Sequence, residues 1–210
     1  MAGAVALIER DGPDALSMRR LGARLGVEGM ALYHHFSSRD ELVAAIADEL
    51  LAPLAELERT DDWRDACRRF ATALRSVAVQ RPATFQLVGL QPLDSPSALR
   101  PVEQLLGVLV RSGFAAPRAL AIYRAIVSYA RGYALAEATG FTVDATRPAG
   151  ARRLYSLPVD RFPILAGQAE ELAALEADDA YLLGLEAMLR GFDEPAASGA
   201  GAPRADHGPG

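Results

Sequence analysis

Residues 17–42 constrain the chain more tightly than any other stretch. Ser17 carries the side-chain oxygen that satisfies the free N–H groups of a helix start, and Leu21 and Leu25 then share one face of a short helix while Arg19, Arg20 and Arg24 point elsewhere. Gly26 stands where that helix should stop, because glycine enters the left-handed region without steric cost. A second short helix is expected over residues 29–36, with Leu32 and Phe36 inward and Gly29, Met30, Tyr33 and His34 outward. Ser38 and Glu41 have the S-x-x-E spacing of a capping box and open a longer amphipathic helix through Leu42, Ile46, Leu50 and Leu54. Two short helices joined by so tight a turn make a helix-turn-helix, whose second helix lies in the DNA major groove while the first spans the backbone. That places Gly29, Met30 and Ala31 at the bases, with Met18 and Arg19 close by. Tyr33, His34 and His35 follow within one turn, and Arg39 flanks the unit where phosphates would run.

The rest of the chain repeats its apolar residues at i, i+3 and i+4, with no sustained alternation of apolar and polar residues, so the fold class is all-α. A helix over residues 2–10 precedes the turn at Gly12 and Pro13. Beyond the polar break at residues 59–62, helices are expected over 63–80, 97–112, 117–138, 163–176 and 179–191, with a short apolar piece at 83–90 and a loop at 141–162. This divides the chain into a DNA-binding domain at 1–46, a ligand-binding and dimerisation domain at 47–192, and a disordered, low-complexity tail at 193–210.

Composition narrows the function. The net charge is −5 and all 22 basic residues are arginine, which argues against nucleic-acid binding by bulk charge and directs attention to a local basic surface. The single cysteine, Cys67, excludes an internal disulfide, and no Cys/His cluster is spaced for zinc. Adjacent His34 and His35 point about 100° apart on a helix and do not chelate one ion. No cofactor or metal is expected, nor a signal peptide or membrane span, and the expected location is the cytoplasm.

The string LSMRRLGARLGVEGMALYHHFSSRDELVAAI, residues 16–46, resembles the DNA-binding domain of the TetR family of bacterial repressors. Residues 62–135 and 163–192 look like the effector domain of the tetracycline-repressor subgroup, with Trp63 opening its first helix and YLLGLEAMLRGF matching its last. The resemblance implies that Arg19 contacts base or phosphate, that Gly29, Met30 and Ala31 are the specificity positions, and that Tyr33, His35 and Arg39 contact the backbone. It also implies a basic arm before the first helix, which this sequence lacks ahead of Ala2; phosphate contacts are then fewer, or the natural chain starts earlier. Gly29, Met30 and Ala31 offer only apolar contact, such as with a thymine methyl, so operator choice leans on Arg19, Tyr33 and DNA shape.

In the second domain Phe70, Leu74, Phe85, Leu105, Leu109, Tyr129 and Tyr133 suggest an apolar ligand cavity, with Gln86, Gln104 and Arg131 as further polar anchors beside Tyr129. The related tetracycline repressors hold drug and Mg²⁺ partly through a histidine, but the only histidines here are 34, 35 and 207. A lipophilic or aromatic effector is expected instead. By the same resemblance the long helix with Ala121 and Ala125 and the last helix with Leu182, Leu185 and Leu189 pair with their twins in a homodimer, which implies a pseudo-palindromic operator in double-stranded DNA. The expected function is a ligand-responsive transcriptional regulator, foremost a repressor. The alternative is a dimeric small-molecule-binding protein with weak DNA specificity; an enzyme is not expected, since no nucleophile elbow, P-loop or dinucleotide fingerprint is present.

Overall fold

The computed structural model describes residues 1–89, 95–140 and 148–192, and every regular element among them is helical. Helices α1 (Ala2–Asp11), α2 (Met18–Leu25) and α3 (Gly29–Leu32) lean on the first half of α4 (Arg39–Leu51) to make the N-terminal head. A 3₁₀ turn (Ala52–Glu56) leads into a body of α5 (Trp63–Gln80), α6 (Pro82–Val88), α7 (Pro96–Arg111), α8 (Ala116–Thr139), α9 (Pro148–Tyr155), α10 (Pro163–Gly167), α11 (Ala169–Ala173) and α12 (Ala177–Gly191).

Each part has its own core. Leu7, Ile8, Leu21, Leu42 and Ile46 are fully buried in the head, and Phe85, Leu109, Ile122, Ile126, Tyr181 and Leu185 in the body. At about 1.5–3 kcal/mol for each large apolar side chain withdrawn from water, two such clusters supply the main force for folding. The cores are not insulated from each other. In α4, Ala47 belongs to the head cluster and Leu51 to the body cluster, with Leu50 against both; from the body side, Val88 of α6 is buried in the head cluster. The division expected at residue 46 therefore falls within a continuous helix.

The expected helix starts at Ser17, Ser38 and Asp62 are present as side-chain caps. Ser17 accepts from the Arg20 N–H, Ser38 from the Glu41 N–H, and Asp62 from those of Arg64 and Asp65. Two expectations need correction. The stretch 141–162 is not all loop, because residues 148–155 form α9, whose Leu154 is buried against Ala169 of α11. The single helix expected at 163–176 is two five-residue helices, α10 and α11, broken at Gln168 with φ −117° and ψ 24°. The expected tail at 193–210 lies outside the described residues, and among the described residues no helix is long and apolar enough to cross a membrane.

Candidate nucleic-acid interface and effector cavity

The geometry of the head is set by backbone contact between its two short helices. Gly26 takes φ 73° and returns its N–H to the Gly22 carbonyl, which turns the chain back toward α2. A Cβ on Gly22 would come within 2.8 Å of the Val27 carbonyl and 2.9 Å of the Gly29 nitrogen. A Cβ on Gly29 would meet the Arg19 backbone at 3.1 Å. Gly29 therefore faces α2, which corrects its assignment to base reading: it is the point of closest approach between the two helices. Met18 is likewise corrected, since it is only 6% exposed and sits in the head core.

Met30 by contrast is 71% exposed and Tyr33 is 48% exposed. Beyond Leu32 the chain tightens into i→i−3 bonds, from Tyr33 to Met30, His34 to Ala31 and His35 to Leu32. In that tighter turn residues three apart stack on one face, which sets Tyr33 beside Met30 and His34 beside Ala31. Ala31, His34, His35 and Arg19 are exposed as well. Arg39 Nε donates to the Leu16 carbonyl at 3.2 Å, so its guanidinium is held against the start of α2 with other N–H groups left over for a phosphate. The Glu41 carboxylate accepts from both the hydroxyl and the N–H of Ser37 at 2.6 Å; the hydroxyl above all holds its pKa below the ordinary value and ties the approach to α4. This is one residue earlier than a capping box would place the bond. Of the residues expected to contact DNA, Arg19, Met30, Ala31, Tyr33, His34, His35 and Arg39 are exposed.

In the body, the 3₁₀ turn, α5 and α7 enclose an open cavity of about 550 Å³. Of the expected ligand residues it brings together Phe70, Gln104 and Leu105, and adds Leu54, Leu57 and Pro101, which the sequence reading missed. Leu74 lies deeper, in a small chamber that shares Phe70, Leu54 and Pro101 with the cavity. The size falls in the range of small-molecule sites. Pro101 sits inside α7 and has no N–H to give to the carbonyl one turn back, which leaves the cavity wall a locally weakened helix. Among the described residues, no three His, Cys, Asp or Glu side chains gather as metal ligands.

Other expected ligand residues are elsewhere. Phe85 and Leu109 are fully buried core, and Gln86 faces solvent. Tyr129 and Tyr133 clamp α12: their hydroxyls donate to the carbonyls of Tyr181 at 2.7 Å and Ala177 at 3.1 Å. The Tyr129 ring stacks on Tyr181 at 5.3 Å, and the Arg75 guanidinium lies 4.7 Å from the same Tyr181 ring. Arg75 also pairs with Glu137 at 2.6 Å and Asp178 at 2.8 Å, and the Glu137 bond above all raises its pKa.

The dimer candidates divide. Ala121 and Leu182 are exposed and Ala125 is half-buried, whereas Leu185 and Leu189 are 0% and 1% exposed within the chain's own core, a correction to their assignment. Leu183, 70% exposed, is the more exposed leucine on that surface. Gly184 serves packing within the chain, since a Cβ there would overlap Tyr129.

Polar contacts tie head to body: Asp48 of α4 accepts from the hydroxyls of Ser95 and Ser97 at the start of α7, at 2.6 and 2.9 Å, and Glu9 of α1 reaches α6. Thr84, fully buried at the start of α6, donates its hydroxyl and N–H to Glu9 of α1 at 2.6 and 2.8 Å. Neither residue carries a motif, and only the tertiary structure brings them together.

Comparison with known proteins agrees with this geometry. Residues 1–46 match the family model for bacterial regulatory proteins of the tetR family, and residues 55–195 match that for the tetracyclin repressor-like C-terminal domain. An HTH-type transcriptional regulator from Saccharopolyspora erythraea is 33% identical over 170 residues, covering 80% of this chain and 72% of that protein. The tetracycline repressor protein class D from Escherichia coli is 27% identical over 197 residues, 90% of this chain and 85% of its own. Among solved structures, a possible TetR family transcriptional regulator from Streptomyces coelicolor superposes with a TM-score of 0.79 at 26% identity, over 90% of this chain and 95% of that one. ActR of the same organism, in complex with actinorhodin, does so with a TM-score of 0.73 at 25% identity, over 91% and 93%. With a helix-turn-helix head and a helical effector body, each matched along its length, the chain belongs to the TetR family of bacterial transcriptional regulators.

Proposed function

We infer that the protein is a homodimeric repressor that leaves its operator when a lipophilic or aromatic molecule enters the cavity between α5 and α7. It acts in the cytoplasm by binding alone, with no catalysed step. The observation that carries this reading is the sharing of elements between site and head. Leu54 lines the cavity only three residues beyond the end of α4, and α6 is held to α1 by Glu9 and Thr84. A molecule that displaces Leu54 acts on α4, and through it on the helix-turn-helix that α4 supports. In a dimer the two heads must meet half-sites spaced by whole turns of the duplex, so a small tilt of each costs affinity. Support for an aromatic effector comes from Phe70 in the wall and from the relative that holds actinorhodin.

Dimerisation through α8 and α12 is favoured by the exposed Leu182 and Leu183 on α12 and the exposed Ala121 on α8. The head reads few bases by hydrogen bond. Met30 offers an apolar contact, which leaves Arg19 and Tyr33 to position the unit and local DNA shape to refine the choice.

The test is fluorescence anisotropy on DNA from upstream of the protein's own gene at about 150 mM salt, where binding by charge alone is weak. Saturable binding that Tyr33→Ala weakens by about tenfold, with protection of a pseudo-palindrome, is the expected result. Affinity equal to that for random DNA, unchanged by the substitution, would overturn the regulator reading in favour of a dimeric small-molecule-binding protein.

A further inference from the structure

Three arginines of the body brace it through carboxylates. Arg68 bonds Glu186 at 2.5 Å, Arg69 bonds Asp65 at 2.8 Å, and Arg75 bonds Glu137 at 2.6 Å. Arg131 of α8 is different. Its Nε is shut off from solvent and has no hydrogen-bond partner, and among the described residues no carboxylate reaches its guanidinium. Desolvation pulls its pKa down, with the Tyr123 hydroxyl the one titratable neighbour acting against it. An arginine stays charged in any protein setting, and a half-buried guanidinium whose Nε is shielded from water without a partner is a cost to the fold.

The surroundings of Arg131 make that cost intelligible. It lines the small inner chamber together with Tyr123 and Val127 of its own helix and with Phe70, Leu74 and Leu51. The chamber encloses only about 20 Å³ and no carboxylate lines it. Its walls at Leu54, Phe70 and Pro101 are also walls of the 550 Å³ cavity. Arg131 thus lines a small chamber that shares three apolar walls with the larger cavity, whose rim carries Glu58, Asp61 and Glu103 beside Arg59, Arg69 and Arg111.

We propose that the effector is an apolar organic acid, its aromatic or aliphatic body lying along Phe70, Leu54 and Pro101 and its carboxylate or equivalent anion pairing with Arg131. The inference rests on the effector reading of the cavity and adds the chemical class. Arg131 gives a fork of parallel N–H donors that fits a planar anion, and desolvation strengthens the pair. Seating the acid group requires the chamber to widen, and two of its walls, Leu51 and Leu54, belong to the end of α4 and the turn after it.

The test uses two probes that differ by one charge. 8-Anilino-1-naphthalenesulfonate and N-phenyl-1-naphthylamine have the same aromatic body, and only the first is an anion. Both are titrated by fluorescence into the full chain, its Arg131→Met variant and its Arg111→Gln variant, which alters an exposed arginine at the cavity mouth. The expected result is a preference of at least about tenfold for the sulfonate in the wild type and in Arg111→Gln. In Arg131→Met that preference vanishes, neutral-probe binding stays within about twofold, and the melting temperature of the ligand-free protein rises, because an unpaired charge has been replaced by an apolar chain. Equal affinity for the two probes in the wild type overturns the proposal, a comparison that holds even if Arg131→Met fails to fold. So does a preference that survives Arg131→Met or falls with Arg111→Gln. Adding both probes to the DNA complex separates the two levels: release by the neutral probe as readily as by the anion removes the acid class and leaves the effector reading standing, whereas failure of both to bind or release removes both.

Discussion

The head and the body solve opposite problems with opposite materials. The head holds a short recognition element by bringing backbone against backbone at Gly22 and Gly29, by the left-handed turn at Gly26, and by side-chain caps at Ser17 and Ser38. Its charged residues remain outside, free for a polyanion. The body is built on bulky side chains and cross-braced by Arg68, Arg69 and Arg75, yet it leaves a cavity, a proline inside α7 and an unpaired Arg131. Rigidity is concentrated where the shape of DNA is read and imperfect packing where a variable molecule must enter. Between them, α4 and α6 belong to both cores, and neither part can shift without the other registering it.

The largest expected disturbance to this division is Gly22→Ala. A methyl group 2.8 Å from the Val27 carbonyl must push α2 from the following turn, costing roughly 1–3 kcal/mol of overpacking and about a hundredfold in operator affinity by anisotropy. Naphthyl-probe binding by the body should be unchanged; a loss of both would show that the head does not vary independently. Arg75→Ala is the counterpart in the body. It strips the ion pair from Glu137 and the cation from the Tyr181 ring, and is expected to cost about 2–4 kcal/mol in denaturant unfolding, with the affinity of the folded dimer for DNA kept.

Smaller effects sharpen the comparison. Met30→Ala should lower operator affinity by about tenfold without altering the melting temperature, while Met18→Ala, one turn from the surface, should cost about 2–3 kcal/mol of stability. If the two behave alike, the placement of Met18 in the core is wrong. Thr84→Val removes the hydroxyl that Glu9 accepts, at a cost of about 1 kcal/mol, and should reduce the ratio between effector-free and effector-bound DNA affinity by a few fold. The smallest effect concerns pH. Burial pushes the Cys67 thiol from 9.0 up to about 12, so between these values the unfolded chain has lost a proton that the folded chain keeps. Stability from this group is complete below pH 9 and declines as pH rises toward 12. Cys67→Ala should flatten that decline, measured by urea unfolding across the alkaline range, and the native thiol should resist alkylation at pH 8.

What could be read from the sequence was what is local. The caps at Ser17, Ser38 and Asp62 and the stop at Gly26 depend on residues within a few positions of one another, and the exposure of Met30 and Tyr33 followed from them. The errors share a cause. Gly29, Met18, Leu185 and Leu189 turn inward, and which face of a helix turns inward is decided by the elements packed against it: the Arg19 backbone of α2 for Gly29, the head core for Met18, and the body core for the two leucines. Tyr129 and Tyr133 have the size for a ligand wall and serve as clamps for α12, because Tyr181 and Ala177 are some fifty and forty-four residues away. The helix at 148–155 was hidden by Pro148, which begins a helix as readily as it interrupts one.

The close approach of Gly22 and Gly29 also limits how this protein can diverge. A regulator gains a new operator by exchanging side chains in its recognition helix, and here the first of those positions is constrained: a side chain at 29 requires the Arg19 backbone, 3.1 Å from a Cβ there, to give by a few tenths of an ångström. Variation after gene duplication is channelled into Met30, Ala31 and Tyr33, where a single codon change can introduce a hydrogen-bonding group and leave the scaffold intact. Two descendants would then be expected to recognise related sites differing in the bases under those three residues, and a descendant with a side chain at 29 should carry a compensating change in α2.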